Sequence, residues 1–424
     1  MTACLLVALL SACRADPGVA LGDVQTLSTA TNGGAAPTIA LSPEGTRALA
    51  WVSAPNGGTD GRVNIAVADA PPVQLRDSLG PIEAHGESPP KLAFARDGSL
   101  HVLYVVGKVV PGRRFPLAAL RHAQSRDGGR TWSAPATVTD DSTFGSHNFH
   151  ALHAAADGTL WASWLDGREG RSAAYVAHST DGGTTWSANR RVETGGEACP
   201  CCRTAMASAP DGTIYLAWRK VFPGSVRDIV VATSRDGGAT WTEPVPIHAD
   251  RWVFEGCPHA GPALAVDSLG RLHAVWWTGK EGRSGVWYTR SDDGARTFRA
   301  PVAMDTAAVY RPAHVQLALG AGGIVAAAWD DGSVQVPRIL LRVSRDGGAT
   351  FGGEAEVSAP ARAAQFPVLG ARGRTLTVAW SEQGSEALAH EQHDMAKMKD
   401  PKAPQGLKAV GGQQVLVRSG QVGR

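Results

Sequence analysis

The sequence repeats one unit seven times, and this repeat limits the possible folds more than any other feature. Each copy contains two apolar stretches joined by a turn, and the second stretch ends in an aromatic residue. The seven aromatics lie 51 to 60 residues apart and are Trp51, Tyr104, Trp164, Trp218, Trp276, Trp329 and Trp380. In the first six copies a glycine stands six residues before the aromatic; in the seventh, Arg374 takes that position beside Gly373. A repeat of this length with alternating apolar residues predicts an all-β array of identical small sheets.

A second signature follows the aromatic in five of the copies. It is an octapeptide that begins with Ser and ends with Trp or Phe, and its third residue is Asp127, Asp181, Asp236, Asp293 or Asp346. A serine hydroxyl and an aspartate carboxylate accept backbone N–H groups across a tight turn, and the glycines beside them allow positive φ. The octapeptide therefore predicts a hairpin between the third and fourth strands of each unit.

These octapeptides resemble the Asp-box, the repeat of bacterial neuraminidases. Through them the chain resembles the sialidase-like β-propeller superfamily over nearly all of its mature length. The resemblance implies a single β-propeller in which the Asp-box is structural and lies on the face away from the usual active site. The repeat predicts seven four-stranded blades, with six, the number expected of sialidases, as the alternative. Residues 24–28 have the pattern of the missing outer strand of the last blade and are predicted to close the ring.

The amino terminus has the pattern of an export signal. Residues 3–10 form an apolar run too short to cross a bilayer. Leu10-Ser11-Ala12-Cys13 resembles a bacterial lipobox, which implies a diacylglyceryl group on the thiol of Cys13; an ordinary cleaved signal is the alternative. The predicted organisation is a signal peptide at 1–12, a tether at 13–23 and a propeller at 24–420, with a polar insert at 381–413 in the last blade. We expect an exported protein, lipid-anchored to the bacterial cell envelope in the periplasm or at the cell surface.

The balance of charges excludes one class of partner. With 41 Lys and Arg against 39 Asp and Glu, the formal net charge is +2. So small a charge provides no field for nucleic acid or an anionic membrane surface. The predicted partners are a carbohydrate or protein ligand on the channel face of the propeller, and the membrane only through the lipid anchor.

Cysteine and histidine residues recur at equivalent positions before the inner strands of adjacent blades. They are Cys199, Cys201 and Cys202 in the fourth blade, Cys257 and His259 in the fifth, and His147 in the third. Because exported cysteines usually oxidise, one interpretation is a Cys199–Cys257 disulfide with a vicinal Cys201–Cys202 bridge. Thiolates and imidazoles also suit zinc or copper. A reduced, packed cluster is the third alternative.

The polar insert of the last blade offers a different set of ligands. At helical spacing, His390 shares a face with His393 or Asp394, and Met395 with Met398. Histidine and thioether ligands suit copper. The alternative is a solvated helical excursion or a disordered flap, which the nearby lysines, prolines and glycine favour.

The resemblance to sialidases also implies a catalytic set. It comprises three arginines that hold the substrate carboxylate, a Tyr nucleophile paired with Glu, and an Asp acid/base. The candidates that register places on channel-facing loops are Tyr310, Arg311, Arg203 and Asp166, with Asp330 and Asp331 as further polar groups. The family's early arginine is absent, because Ala36 occupies its place.

Three functions follow from these observations. The first is ligand or partner binding on the Cys/His-lined channel face, with catalysis unproven. The second is an exo-α-sialidase type of glycoside hydrolase. The third is a periplasmic accessory protein that handles copper or zinc.

Overall fold

Seven antiparallel sheets form the molecule, arranged as the blades of one β-propeller ring. The computed structural model describes residues 16–29, 31–113, 115–306, 312–360, 362–383 and 410–423. The prediction of an all-β, seven-bladed propeller is confirmed. Within the described ranges the helical segments are two 3-10 turns, Pro55–Gly57 and Ala321–Gly323. No helix of the described part has the length and apolar character needed to cross a bilayer.

The chain starts with β1 (Val19–Thr26), which belongs to the last blade, and then runs through the blades in order. The first blade contains β2 (Ala35–Leu41), β3 (Arg47–Ser53), β4 (Arg62–Val67) and β5 (Val73–Leu75). The second contains β6 (Lys91–Phe94), β7 (Leu100–Lys108), β8 (Leu117–Ser125) and β9 (Ala136–Thr137). The third contains β10 (His147–Ala154), β11 (Leu160–Asp166), β12 (Ala173–Ser179) and β13 (Arg190–Arg191).

The fourth blade differs by one additional strand. It contains β14 (Glu197–Ala198), β15 (Ala205–Ser208), β16 (Ile214–Phe222), β17 (Val226–Ser234) and β18 (Val245–Pro246). The fifth contains β19 (Ala263–Val266), β20 (Leu272–Thr278), β21 (Gly285–Ser291) and β22 (Val302–Asp305). The sixth contains β23 (Gln316–Leu319), β24 (Val325–Asp331), β25 (Arg338–Ser344) and β26 (Ala355–Glu356). The seventh contains β27 (Ala363–Arg372), β28 (Thr375–Gln383) and β29 (Gln413–Val422), with β1 outermost.

The ring closes by pairing the first strand with the last. β1 runs antiparallel to β29, from Val19 opposite Val422 to Thr26 opposite Leu416. The closing strand therefore lies earlier than residues 24–28, and it takes in residues 19–23, which the sequence had assigned to the tether. The ladder shifts between Leu21 and Val24, so the polar pair Gly22-Asp23 interrupts the apolar alternation that would have indicated the start of the strand.

The hydrophobic core lies between the blades. Seven clusters of buried residues each join two adjacent blades, including the last and the first. In β16, Leu216 and Trp218 face the third blade, whereas Tyr215 and Ala217 face the fifth. Because successive side chains of a strand point to opposite faces, one alternating apolar strand supplies two of these cores. The apolar pattern of each unit thus requires two neighbours, and only a closed ring provides them to every blade.

The aromatic that ends the second strand is buried in every blade, with at most 4% of its surface exposed. In five blades a carboxylate accepts the hydrogen bond of its polar atom. These pairs are Tyr104–Asp77, Trp164–Asp166, Trp276–Asp250, Trp329–Asp305 and Trp380–Glu382. A buried N–H or O–H without an acceptor costs about 1–3 kcal/mol. The carboxylates therefore make it possible to bury a large aromatic at each blade interface.

All five octapeptides form the same hydrogen-bonded turn. In the fourth blade the Ser234 hydroxyl donates to Asp236 over 2.9 Å and accepts the Gly238 N–H over 2.8 Å. Asp236 also accepts the backbone N–H and the hydroxyl of Thr240. Hydrogen bonds from the equivalent threonines lower the pKa of the Asp127, Asp181, Asp236 and Asp293 carboxyls to about 2. The turn is a self-contained structural element.

The buried serine of this turn provides a test of its contribution to stability. We expect Ser234→Ala to lower the free energy of unfolding by about 1–3 kcal/mol, because the buried Gly238 N–H loses its acceptor. Urea-induced unfolding measures the change. The matched control is Arg235→Ala, which removes a half-exposed side chain at the next position and should change stability by less than about 0.5 kcal/mol. Equal effects of the two substitutions would contradict the structural role of the box.

Candidate functional site

Charged side chains from three non-adjacent blades meet at the centre of the ring. Glu87 precedes the inner strand of the second blade, Arg203 that of the fourth and His314 that of the sixth. Arg203 donates to Glu87 over 2.8 Å, and Nε2 of His314 lies 3.8 Å from the same carboxylate. Blades that are not neighbours can touch only across the central channel. We call Glu87, Lys91, Arg203, His314 and Asp330 the channel cluster.

Arg203 and Glu87 form a buried ion pair, with 6% and 0% of their side chains exposed. The guanidinium also donates to the carbonyl of Val315 over 2.5 Å. Gly261 of the fifth blade makes room for this arrangement, because a Cβ there would lie 2.4 Å from the Arg203 carbonyl oxygen. The second carboxylate oxygen of Glu87, Oε2, is buried and has no hydrogen-bond partner among the described residues. An acceptor thus remains free in the channel.

A histidine–aspartate pair lies beside this ion pair. Nδ1 of His314 is 2.6 Å from a carboxylate oxygen of Asp330, which also accepts the backbone N–H groups of His314 and Phe366. Burial disfavours the imidazolium, but the Asp330 charge and hydrogen bond outweigh it and raise the pKa of His314. The ring of Phe366 packs on the imidazole, with centroids 4.1 Å apart. His314 therefore carries a positive charge more readily than an ordinary histidine.

Lys91, the first residue of β6, completes the channel cluster. Burial, and secondly the Arg203 charge, lower the pKa of its ammonium group to about 7, although Glu87 opposes this. Among the described residues no carboxylate lies within 4.0 Å of its nitrogen. His150 lies nearby as a neutral ring, because burial lowers its pKa to about 3. Lys91 is thus a cation that lacks a close counter-ion and titrates near neutral pH.

Three cysteines share one turn next to the channel. β14 and β15 both pair with β16, so the inner strand of the fourth blade is split in two. The break contains Cys199-Pro200-Cys201-Cys202, in which the Cys202 N–H donates to the Cys199 carbonyl over 3.4 Å, and proline suits the second position of such a turn. The Cys199 sulfur lies 3.6 Å from that of Cys201 and 3.5 Å from that of Cys202.

Cys257 of the fifth blade joins this group. Its side chain hydrogen-bonds with that of Cys201, and it is exposed, whereas the other three cysteines are buried. None of the four described cysteines forms a disulfide, so the described residues contain neither the predicted Cys199–Cys257 bridge nor the vicinal Cys201–Cys202 bridge. The physical reason is local: the proline turn directs its three sulfurs to one another at non-bonded distance, and Cys201 rather than Cys199 meets Cys257. We call the four residues the thiol cluster.

Two guanidinium groups adjoin the thiol cluster, that of the half-buried Arg227 and that of the buried Arg219. Arg227 donates to the Cys199 sulfur over 2.9 Å. Arg219 is 1% exposed and donates to the carbonyls of Ala260, Trp277 and Arg227. Hydrogen bonds from Cys201 and Cys202, aided by both guanidinium groups, lower the pKa of the Cys199 thiol far below its usual range. The cluster is therefore electropositive around one sulfur.

The two histidines predicted to accompany the cysteines take separate positions. His259 is half-buried beside Cys257 and stacks on His85, with ring centroids 5.9 Å apart. His147 instead lies 3.1 Å from Asp141 and 3.8 Å from Asp166. Asp166 accepts hydrogen bonds from Trp164 and Arg168. Asp166 thus has a structural role, because it accepts the hydrogen bond of the buried aromatic of its blade.

Several predicted site residues lie outside the described residues. They are the lipid-attachment candidate Cys13, the catalytic candidates Tyr310 and Arg311, and the insert ligands His390, His393, Met395 and Met398. Of the catalytic candidates, Arg203 does lie in the channel, whereas Asp166 lies with His147. Ala36 is 1% exposed, with φ of 53°, so no cation stands at that position.

Glu87, Lys91 and His314 were not selected from the sequence. A signal was available for His314, which stands fifteen residues before the blade aromatic Trp329, the same offset as Arg203 before Trp218. Glu87 stands seventeen residues before Tyr104, so the fixed offset misses it. Only the closed ring brings the three together.

Known proteins are similar to this chain in sequence over part of its length. The family described as BNR repeat-like domain matches residues 83–251. A sialidase from Micromonospora viridifaciens is 27% identical over 252 residues, which cover 49% of this chain and 36% of the sialidase. The chain thus aligns with about a third of that relative's length.

Solved structures show the same fold at low identity. A protein of unknown function from Dyadobacter fermentans has a TM-score of 0.54 at 14% identity, covering 96% of this chain and all of its own. An ulvan lyase bound to GlcA(1-4)Rha3S scores 0.53 at 14% identity, with 83% and 92% covered. An α-L-arabinofuranosidase from Fusarium graminearum scores 0.52 at 16% identity, with 80% and 95% covered.

The fold of this chain is a seven-bladed β-propeller with Asp-box turns, and the ulvan lyase and the arabinofuranosidase are similar to it in fold. In sequence, residues 83–251 are similar to the BNR repeat-like family, and about half of the chain is similar to part of a sialidase.

The buried ion pair of the channel cluster gives a direct test of its geometry. We expect Glu87→Ala to lower the free energy of unfolding by about 3–5 kcal/mol, because it leaves the Arg203 charge buried without a partner. The control is Asp60→Ala, which removes the exposed partner of Arg62 and should cost about 1 kcal/mol or less. Thermal and urea-induced unfolding measure the stability of both variants. A Glu87→Ala variant as stable as the Asp60→Ala control would contradict the presence of a buried ion pair.

Proposed function

We propose that this protein binds an acidic carbohydrate at the channel cluster. The observation that carries the proposal is the convergence of Lys91, Arg203 and His314 from three blades on the Glu87 carboxylate, whose other oxygen, Oε2, lacks a hydrogen-bond partner among the described residues. Residues so far apart in sequence meet here at the desolvation cost of a buried ion pair, which is typical of a functional site rather than of a packing core.

The charge balance of the channel cluster supports an anionic group on the ligand. Glu87 compensates Arg203, and Asp330 compensates a protonated His314. Lys91 has no close counter-ion, so the protonated cluster carries one positive charge in excess. A sugar carboxylate or sulfate would supply the missing anion, while sugar hydroxyls could donate to the free Glu87 oxygen.

The similar proteins support the same class of ligand. The relative with aligned sequence is a sialidase by name, and the ulvan lyase was solved with a GlcA(1-4)Rha3S unit. Both names refer to acidic sugars. The likeness to the lyase concerns the fold, so the choice of an acidic ligand rests on the charges of the channel cluster.

The pKa of Lys91 predicts that binding depends on pH. With a pKa of about 7, the ammonium form predominates at pH 6 and is a minor species at pH 8. The fraction able to bind an anion therefore falls about tenfold over this range, and affinity falls with it. His314, whose pKa is raised, loses its proton in the same direction, whereas His150 stays neutral throughout.

Calorimetric titration with a glucuronate-containing oligosaccharide at pH 6 and pH 8 tests this expectation. Lys91→Met should weaken binding at pH 6 about tenfold and remove most of the pH dependence. The control Lys108→Met changes an exposed lysine at the end of β7 and should leave both unchanged. Absence of binding to acidic oligosaccharides, or equal binding of the neutral analogue, would overturn the proposal.

Hydrolysis of sialosides is not expected. The arginine that the sialidase resemblance calls for is replaced by the buried Ala36, and a guanidinium–carboxylate hydrogen bond contributes about 1.5–3 kcal/mol. We expect no turnover of a fluorogenic sialoside at ordinary enzyme rates. Turnover that is lost in Tyr310→Phe or Arg311→Ala would instead establish a sialidase and assign those residues to catalysis.

We also propose that the protein acts outside the cytoplasm, tethered through Cys13. The lipobox-like Leu10-Ser11-Ala12-Cys13 supports this.

A further inference from the structure

The sulfur atoms of Cys199, Cys201 and Cys202 lie within 4.8 Å of one another, and the side chain of Cys257 from the neighbouring blade hydrogen-bonds with that of Cys201. The first three belong to one proline turn, and the fourth is brought by the loop before the fifth blade. The side chains of Phe149 and Val221 pack against the three buried cysteines. The split inner strand of the fourth blade and the loop before the fifth blade together bring these thiols to one place.

The geometry points to a metal site: we propose that Cys199, Cys201, Cys202 and Cys257 bind one thiophilic d10 cation, Zn²⁺ or Cu⁺. When four thiolates bind a zinc ion tetrahedrally, each Zn–S bond is about 2.3 Å long and the ligand sulfurs are about 3.8 Å from one another. The Cys199 sulfur lies 3.6 and 3.5 Å from its two neighbours. Two of the three sulfur pairs of the turn are therefore within a few tenths of an ångström of the spacing that a thiolate-bound cation needs, and the third pair lies within 4.8 Å.

The surrounding charges favour bound thiolates. Four thiolates around Zn²⁺ carry a net charge of about −2, and around Cu⁺ about −3. Arg227 donates directly to the Cys199 sulfur, and within the described ranges the Arg219 guanidinium donates its hydrogen bonds to carbonyl oxygens. These two cations, one buried and one half-buried, compensate the excess negative charge, which an apolar environment would otherwise penalise.

A second group, Asp141, His147 and Asp166, also places three metal-binding side chains close together. Arg168 occupies it, however, with its guanidinium 3.2 Å from Asp141 and 2.8 Å from Asp166. The carboxylates are thus already neutralised by a cation. This group serves as the internal control for the thiol cluster.

The burial of the ligands indicates how the cation enters. Cys199, Cys201 and Cys202 are at most 4% exposed, whereas Cys257 is exposed. The half-buried His259 follows Cys257 by two residues and its Nδ1 lies 3.1 Å from the Cys257 carbonyl. The cation would meet Cys257 first and then the three buried thiolates.

The test begins with the full chain purified from an exported expression without added metal. Elemental analysis should find about one zinc or copper per chain, and thiol counting after denaturation with chelator should find the four cysteines reduced. Titration of the metal-free protein with Zn²⁺, and separately with Cu⁺, against a chromophoric chelator then identifies the preferred ion. Substitution by Co²⁺ should give a thiolate-to-metal charge-transfer band.

Variants link the metal to these residues. Cys257→Ser changes an exposed side chain, so the fold is retained, and it should weaken metal binding by about 100-fold or more. Cys201→Ser should do the same, with circular dichroism as a check on folding. Asp141→Asn should leave the stoichiometry and affinity unchanged.

Each alternative outcome is informative. Two disulfides with no metal would overturn the proposal in favour of a cross-linked cluster, and metal that survives both Cys→Ser changes would place it elsewhere. Because neither Zn²⁺ nor Cu⁺ binding involves Lys91, the metal titration of Lys91→Met should match the wild type. The metal proposal can therefore hold if the carbohydrate proposal fails, and the carbohydrate proposal can hold if the metal proposal fails.

Discussion

The burial of one large aromatic side chain in every blade is the constraint on which the rest of the structure depends. These rings fill the spaces between sheets, and in five blades a carboxylate accepts their hydrogen bond. Neither face of a blade can be left to solvent, because alternate residues of the same strand belong to different cores. Each sheet therefore needs a partner on both sides, and the ring follows from this requirement together with the right-handed twist of strands.

The charged residues and the thiols of the two candidate sites lie near places where the innermost strands depart from regular β-pairing. Their ladders shift near Ala36, Phe149 and Phe366, which have φ of 53°, 59° and 55°. Left-handed backbone at such residues is unfavourable by about 1 kcal/mol or more. In the fourth blade the strand breaks altogether and the break holds three cysteines. The Asp-boxes, by contrast, are uniform, and their aspartates bond within their own turns.

The fold was largely predictable from the sequence, and the sites were predictable only in part. Seven aromatics in register and five octapeptides indicate repeated hairpins because those patterns are local. Cys201 and Cys257 could be placed on adjacent blades by counting residues, but which sulfur meets which depends on a proline turn that counting ignores. His147 shares the register of Cys201 and still pairs with carboxylates, because its nearest polar neighbours come from the preceding loop. Glu87 and Lys91 were missed because they belong to the second blade, whereas Arg203 and His314 belong to the fourth and the sixth. These blades face one another only once the ring has closed.

Closure itself sets an order of events. The ribosome makes β1 before any other strand of the ring and its partner β29 after all the others, and contacts such as that from the Arg418 side chain to the Gly22 carbonyl span 396 residues. Until β29 emerges, β1 has no place in any sheet, and the seventh blade has no outer strand. An unpaired strand of this kind is open to exchange with another chain. The first and last strands to be synthesised must therefore pair with each other. A chaperone that covers β1 would help this protein most in the interval before β29 has been made.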